Sequence, residues 1–196
     1  MKERIVETLM DLMEIDSDHL ADKGAIVEFC TEWLDDCGMG VTVHGEESPA
    51  VEATAGTGLI MSGHLDVVPV GEGWTRGQGE REGEVVYGRG TADMKGAVAA
   101  MLHAARTLSE EGVPFSVFLT TDEEEGMQGA LRLSRSTVLK EAPGVMIGEP
   151  TDMRVVSEEK GVYRFRLTTH GKAAHSSQPW LGDNAINRMQ ALLSRM

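Results

Sequence analysis

Leu59 to Pro69 reads LIMSGHLDVVP, and Tyr87 to Gly96 reads YGRGTADMKG. Leu59–Ser62 is a short apolar run, the signature of a buried strand, and Gly63 is expected to end it. His64-Leu65-Asp66 then falls at the strand's carboxyl end, where open α/β sheets place their sites. Side chains alternate along extended chain, so His64 and Asp66 face the same side. A histidine whose far ring nitrogen is held by a carboxylate is a common metal-ligand arrangement. Asp93, in the second stretch, sits just before a helix expected over about Met94–Glu111, with small residues Gly96, Ala97, Ala99 and Ala100 on one side for close packing on a sheet.

Working outward, the same chemistry recurs. Phe115–Thr121 (FSVFLTT) reads as a buried strand followed by Asp122-Glu123-Glu124-Glu125, and Gly144–Gly148 (GVMIG) as another followed by Glu149. A helix is expected between them, over about Met127–Leu139. Strands alternating with helices imply an α/β fold with a mixed, largely parallel sheet flanked by helices. Upstream, helices are expected over Glu3–Ile15 and from a cap at Asp22 to Gly38, with strands over Val41–His44 and Val51–Ala55. Val70–Gly83 has no period and reads as a loop, with Trp74 as its pin. The catalytic-type pattern fills residues 1–156. Residues 157–196 read as the start of a second, α+β domain: Gly161–His170 alternates like a half-exposed strand, and Asp183–Met196 starts a helix with Ile186, Met189, Leu192 and Leu193 inward.

The chain has 196 residues, 41% of them hydrophobic and 26% charged, with a net charge of −14. That charge argues against nucleic acid and anionic membrane as partners. No run approaches the roughly 20 apolar residues of a membrane span. The polar N-terminus is unlike a signal peptide, and Cys30 and Cys37, beside apolar residues on one helix face, are expected as buried free thiols of a reducing cytoplasm.

His64, Asp93, Glu124 and Glu149 together suit Zn(II), with Co(II) or Mn(II) as alternatives. Carboxylates can bridge, so the set also suits two ions holding a hydroxide between them. Adjacent residues leaving a strand diverge, so one glutamate of the acidic run can bind metal while its neighbour serves as general base. The plain reading of that run is an acidic helix N-terminus.

The segments SGHLDVVPVG, YGRGTADMKGAVAAML, TTDEEEGMQGA, IGEPTD and GKAAHSSQPWLGDNAI, in this order and spacing, resemble the co-catalytic zinc aminoacylases and carboxypeptidases that include acetylornithine deacetylase, succinyl-diaminopimelate desuccinylase and glutamate carboxypeptidase. The resemblance implies a zinc-peptidase-like catalytic domain followed by a dimerisation or lid domain. It implies that His64 and Glu149 bind the first metal, Asp66 orients His64, Asp93 bridges both metals and has a peptide bond to Met94 that is usually cis, Glu124 binds the second metal, and Glu123 is the general base. His175 matches a histidine that stabilises the tetrahedral oxyanion, across a homodimer in characterised relatives. His19, His44, His103 and His170 match no functional position.

The implied activity is metal-dependent removal of an acyl group from a small N-acyl amino acid, or cleavage of a C-terminal residue. Family members run to about twice this length, and a late histidine of the second metal has no counterpart here. The chain is therefore expected to hold about one zinc tightly rather than two and to be inactive alone, with activity needing a complementary C-terminal half. The rival expectation is a non-catalytic remnant that binds metal or a partner chain.

Overall fold

The computed structural model describes residues 1–196 except His19, Glu159 and Val162. Two compact units divide the chain, Met1–Arg154 and Val155–Met196.

The first unit is built on a five-stranded mixed sheet. Its strands are β1 (Gly40–His44), β2 (Ala50–Thr54), β3 (Leu59–His64), β6 (Phe115–Thr120) and β7 (Val145–Ile147), in the order β1-β2-β6-β3-β7. β1, β2 and β6 pair antiparallel, whereas β6, β3 and β7 run parallel. The parallel part carries the candidate site, because its three carboxyl ends emerge together: His64 is in register with Thr120, and Ser62 with Ile147.

Helices cover both faces. Phe115, Val117 and Leu119 of β6 point to one core, shared with α1 (Lys2–Glu14), α2 (Gly24–Asp36) and α3 (Gly96–Glu110). Phe118 points to the other, shared with Ala50, Ile60 and Leu133, under α4 (Gln128–Leu133) and α5 (Thr137–Glu141). Period-two alternation thus splits one strand between two cores. Each such fully buried Leu or Phe contributes about 1.5–3 kcal/mol of transfer free energy.

α2 ends at Gly38, whose N–H donates to Asp35 O while Met39 N–H donates to Leu34 O, a Schellman closure. Lys95, only 2% exposed, donates through Nζ to Leu12 O (2.9 Å) and Ile15 O (2.8 Å) at the end of α1. This satisfies carbonyls that a helix leaves open, and burial holds the lysine pKa down at about 8. Cys30 is buried and Cys37 half-buried, both as free thiols. Burial pushes the Cys30 thiol up to about 12, which makes it chemically inert.

Several local expectations need correction. Gly63 does not end β3; the strand runs on through His64. A Cβ on Gly63 would lie 2.6 Å from Met94 Cε, so the glycine is there for close packing. α3 starts at Gly96 rather than Met94, after a wide turn over Thr91–Lys95 with non-helical backbone at Asp93 and Met94. The single helix over 127–139 is two, because Ser136 restarts the chain by accepting from Val138 N–H at 3.0 Å. The end of the Val70–Gly83 loop is β4 (Glu80–Glu82), in a hairpin with β5 (Val85–Tyr87), braced by Arg76 on Glu80 and Glu82. Trp74 Nε1 donates to Arg76 O at 2.6 Å, a local contact.

In the second unit, the described residues of Gly161–His170 form no strand; Val162 lies outside them. The pairing there is one bridge between Lys172 and Asp183. α6 (Ala185–Leu193) forms, capped by Asn184 Oδ1, which accepts from Ile186 N–H at 2.8 Å and Asn187 N–H at 3.4 Å. Its supposed inward face is not buried: Ile186, Leu192 and Leu193 are exposed and Met189 is half-buried.

Candidate metal centre

The site grows from three strand ends and one helix approach. His64 closes β3, Glu123 and Glu124 follow β6, Glu149 follows β7, and Asp93 precedes α3. The Asp93–Met94 peptide bond is cis.

His64 is the hub, and its side chain is 2% exposed. Nδ1 lies 2.8 Å from the Asp66 carbonyl oxygen, so it donates there. Nε2 lies 2.9 Å from Asp93 Oδ1 and 3.5 Å from Glu149 Oε1. With an acceptor at each nitrogen, the ring holds both protons. Burial alone would lower its pKa, but Asp66 and Asp93 outweigh that and raise it to about 9.

Strand alternation predicts the Asp66 carboxylate on the imidazole, and the structure differs. The ring nitrogen takes the Asp66 carbonyl, and Asp66 Oδ1 stands 3.6 Å off. The carboxylate itself accepts from Glu123 N–H (3.2 Å) and Glu124 N–H (3.0 Å). Asp66 therefore ties the end of β3 to the turn after β6. Its burial acts to raise the pKa, but His64 and the two N–H donors prevail and leave it below the ordinary value.

Two groupings have donor atoms within 4.8 Å of one another: His64 with Asp93 and Glu149, and His64 with Glu123 and Glu124. The 2.9 and 3.5 Å separations from Nε2 bracket the roughly 3.3 Å edge of a tetrahedron with bonds near 2 Å. Imidazole plus carboxylates, with Nε2 aimed at them and Nδ1 fixed behind, fits a divalent ion such as zinc. Glu149 and Glu124 both have raised pKa values, first from burial and then from neighbouring carboxylates. His64 opposes both shifts, but burial and the crowded acids together outweigh it. Glu123 stands with Glu124 in the second grouping, where the sequence reading had paired Glu124 with Asp93.

Asp122 has a structural use that the sequence reading missed. Its carboxylate accepts from Gln128 N–H (2.6 Å) and Gly129 N–H (2.9 Å), capping α4. Among the other histidines, His103 Nε2 lies 2.9 Å from Thr8 Oγ1, with the ring edge-on to Trp33. His44 lies 3.4 Å from Glu52. His19 lies outside the described residues, and His170 is exposed. His175 belongs to the second unit, where Nδ1 accepts from Ser177 N–H at 3.2 Å, with Ser177 Oγ at 2.8 Å. Among the described residues, no helix is long and apolar enough to cross a membrane.

Residues 60–195 match the model of peptidase family M20/M25/M40. The chain is 32% identical over 185 residues to an acetylornithine deacetylase of Proteus mirabilis, covering 88% of this chain and 47% of that protein. It is 38% identical over 148 residues to a succinyl-diaminopimelate desuccinylase of Novosphingobium aromaticivorans, covering 69% of this chain and 39% of that one. The chain thus spans less than half the length of these relatives. A crystal structure of a tripeptidase from Staphylococcus aureus matches all of this chain and 57% of its own, with a TM-score of 0.74 at 21% identity, a likeness of fold. A family match across most of the chain, together with ligand-type residues gathered at the carboxyl ends of three parallel strands, identifies this chain as a member of peptidase family M20/M25/M40.

Proposed function

We propose that this chain carries the metal-binding part of a zinc-dependent amidohydrolase that removes an acyl group from an N-acyl amino acid. The observation that carries the reading is the convergence of His64 Nε2, Asp93 Oδ1 and Glu149 Oε1 on one point, with Nδ1 of the same ring fixed from behind by Asp66 O. Three protein groups are the usual complement of a catalytic zinc. The deacetylase and desuccinylase names of the relatives support the acyl class of substrate.

Bound zinc would polarise the scissile carbonyl and make a water acidic near neutral pH. The chain's residues do the rest. His64, Asp93 and Glu149 would hold the ion, and Glu124 would serve a second position, with Co(II) as a workable substitute. Asp66 fixes the imidazole through its carbonyl and the Glu123–Glu124 turn through its carboxylate. Glu123 takes the proton from the attacking water and returns it to the leaving amine, as general base and then general acid. His175 takes the oxyanion role; with Nδ1 accepting from Ser177, the proton sits on Nε2, where it can be donated. We assign the working enzyme a homodimeric state and a cytoplasmic setting, completed by a C-terminal half.

The test is Glu123→Gln in a chain supplied with a complementary C-terminal half, assayed on N-acetyl and N-succinyl amino acids. The base role predicts unchanged zinc content and a kcat lower by a factor on the order of 10² to 10⁴. Loss of zinc with the same substitution would make Glu123 a ligand, as its grouping with His64 and Glu124 allows.

A further inference from the structure

The candidate ligands arrive on separate elements, and something must set their spacing. Even-numbered residues of β3 face β7: Ile60 N–H donates to Gly144 O (3.1 Å), and Ser62 O accepts from Gly148 N–H (3.1 Å). The next donor in that row is His64 N–H. β7 has ended by then, at Ile147, and the chain continues into Glu149 and Pro150. His64 N–H donates instead to Met94 Sδ, at 3.3 Å. Met94 is fully buried.

The Met94 methyl is wedged against both strand ends. A Cβ on Gly63 would stand 2.6 Å from Met94 Cε, and one on Gly148 would stand 3.0 Å from it, with Met101 Cε closer still. These two glycines immediately precede His64 and Glu149, and Met94 itself immediately follows Asp93. One side chain therefore meets the residues that precede His64 and Glu149 and is itself carried by the residue that follows Asp93.

Resting on the zinc reading above, we infer that Met94 is a positioning residue for the metal centre, a buried thioether gauge that spaces His64, Asp93 and Glu149. The sulfur satisfies the donor that β7 leaves open, and the methyl sets the gap between the ends of β3 and β7. A leucine has similar volume but no acceptor, so it would leave a buried N–H unpaired beside a ligand.

The test compares zinc affinity, by competition with a chelating dye, in the wild-type chain, Met94→Leu and Leu102→Ala. Leu102 is equally buried in the same core, on α3. Met94→Leu should weaken zinc binding by about 10- to 100-fold, the usual effect of losing an outer partner of a ligand. Leu102→Ala should lower the melting temperature yet keep zinc affinity within about twofold. Equal affinity in Met94→Leu and wild type, or an equal loss in Leu102→Ala, would overturn the gauge. A wild-type chain that binds no zinc would instead overturn the zinc reading itself. Should Met94→Leu not fold, methyl NMR of the wild-type chain decides. Zinc should shift the Met94 methyl and the His64 amide while leaving the Met10 methyl in place; an unmoved Met94 methyl contradicts the inference.

Discussion

β1 and the stretch Gly161–His170 carry the same pattern and end differently. GVTVH alternates along a sheet edge and is a strand, because β2 offers it a five-residue antiparallel ladder. GVYRFRLTTH alternates over a longer run, and its described residues are not in a strand. Tyr163 and Phe165, two apart, do share a side, with ring centroids 5.7 Å apart. Alternation fixes which face a side chain takes, whereas a strand also requires a neighbour with open backbone groups. The wider contrast is the same. Unit Met1–Arg154 has two buried clusters, and no described residue of Val155–Met196 is buried. What forms among the described residues of the second unit is short-range: the Asn184 cap on α6, a 3-10 turn over Pro179–Leu181 and the Lys172–Asp183 bridge.

Hydrogen exchange is the strongest way to break this contrast. Amides of Phe115–Thr120 should exchange slower than their intrinsic rates by a factor on the order of 10³ or more, and those of Tyr163–Gly171 at close to intrinsic rates. Comparable protection in both would mean that the second unit finds a partner strand, for instance in another copy.

The same substitution in each unit should sharpen it. Leu102→Ala removes a fully buried side chain and should cost about 2–5 kcal/mol in denaturant unfolding. Leu193→Ala, at a residue 55% exposed, should stay within about 0.5 kcal/mol. A large cost at Leu193 would show that the α6 face is covered in solution.

Metal binding should divide along the same line. Asp66→Asn should weaken zinc by about 10- to 100-fold, because one oxygen of the carboxylate that accepts from Glu123 N–H and Glu124 N–H becomes an NH2 donor and loosens that turn. His175→Ala should leave zinc affinity as it is, since the proposed ligands all belong to the first unit. A zinc defect in His175→Ala would give the second unit a ligand role.

How legible was this in the sequence? The sheet, its flanking helices and the strand ends bearing His64, Glu123, Glu124 and Glu149 were readable, because short apolar runs followed by metal-type residues carry their own register. Three things were not. Gly63 looks like a strand terminator in one dimension, whereas its role is contact with Met94, 31 residues on. Asp66 was assigned by its carboxylate, but that carboxylate is taken up by the distant Glu123 and Glu124 N–H groups, and its carbonyl meets the ring. The alternating stretch after Gly161 was read from its own pattern, and the missing quantity was a partner. Each miss concerns a long-range neighbour that local pattern does not encode.

The smallest expected effect is a pH dependence of the metal-free chain. The folded pKa of His64 is about 9, above its unfolded value of about 6.5. Its contribution to stability is therefore fully present below pH ~6.5 and is lost as pH rises through about 9. Thermal melts across that window should show stability falling with pH, and His64→Ala should remove this component. A rise through the same window would mean that the ring is neutral in the folded chain.

The central claim is that one metal ion is held where His64, Asp93 and Glu149 meet, and titration with Co(II) or Zn(II) under chelator competition tests it most directly. The account predicts about one tightly bound ion per chain, released by His64→Ala, with a proton given up by the imidazole on binding at neutral pH. Absence of tight binding, or binding of the same strength in His64→Ala, would contradict it.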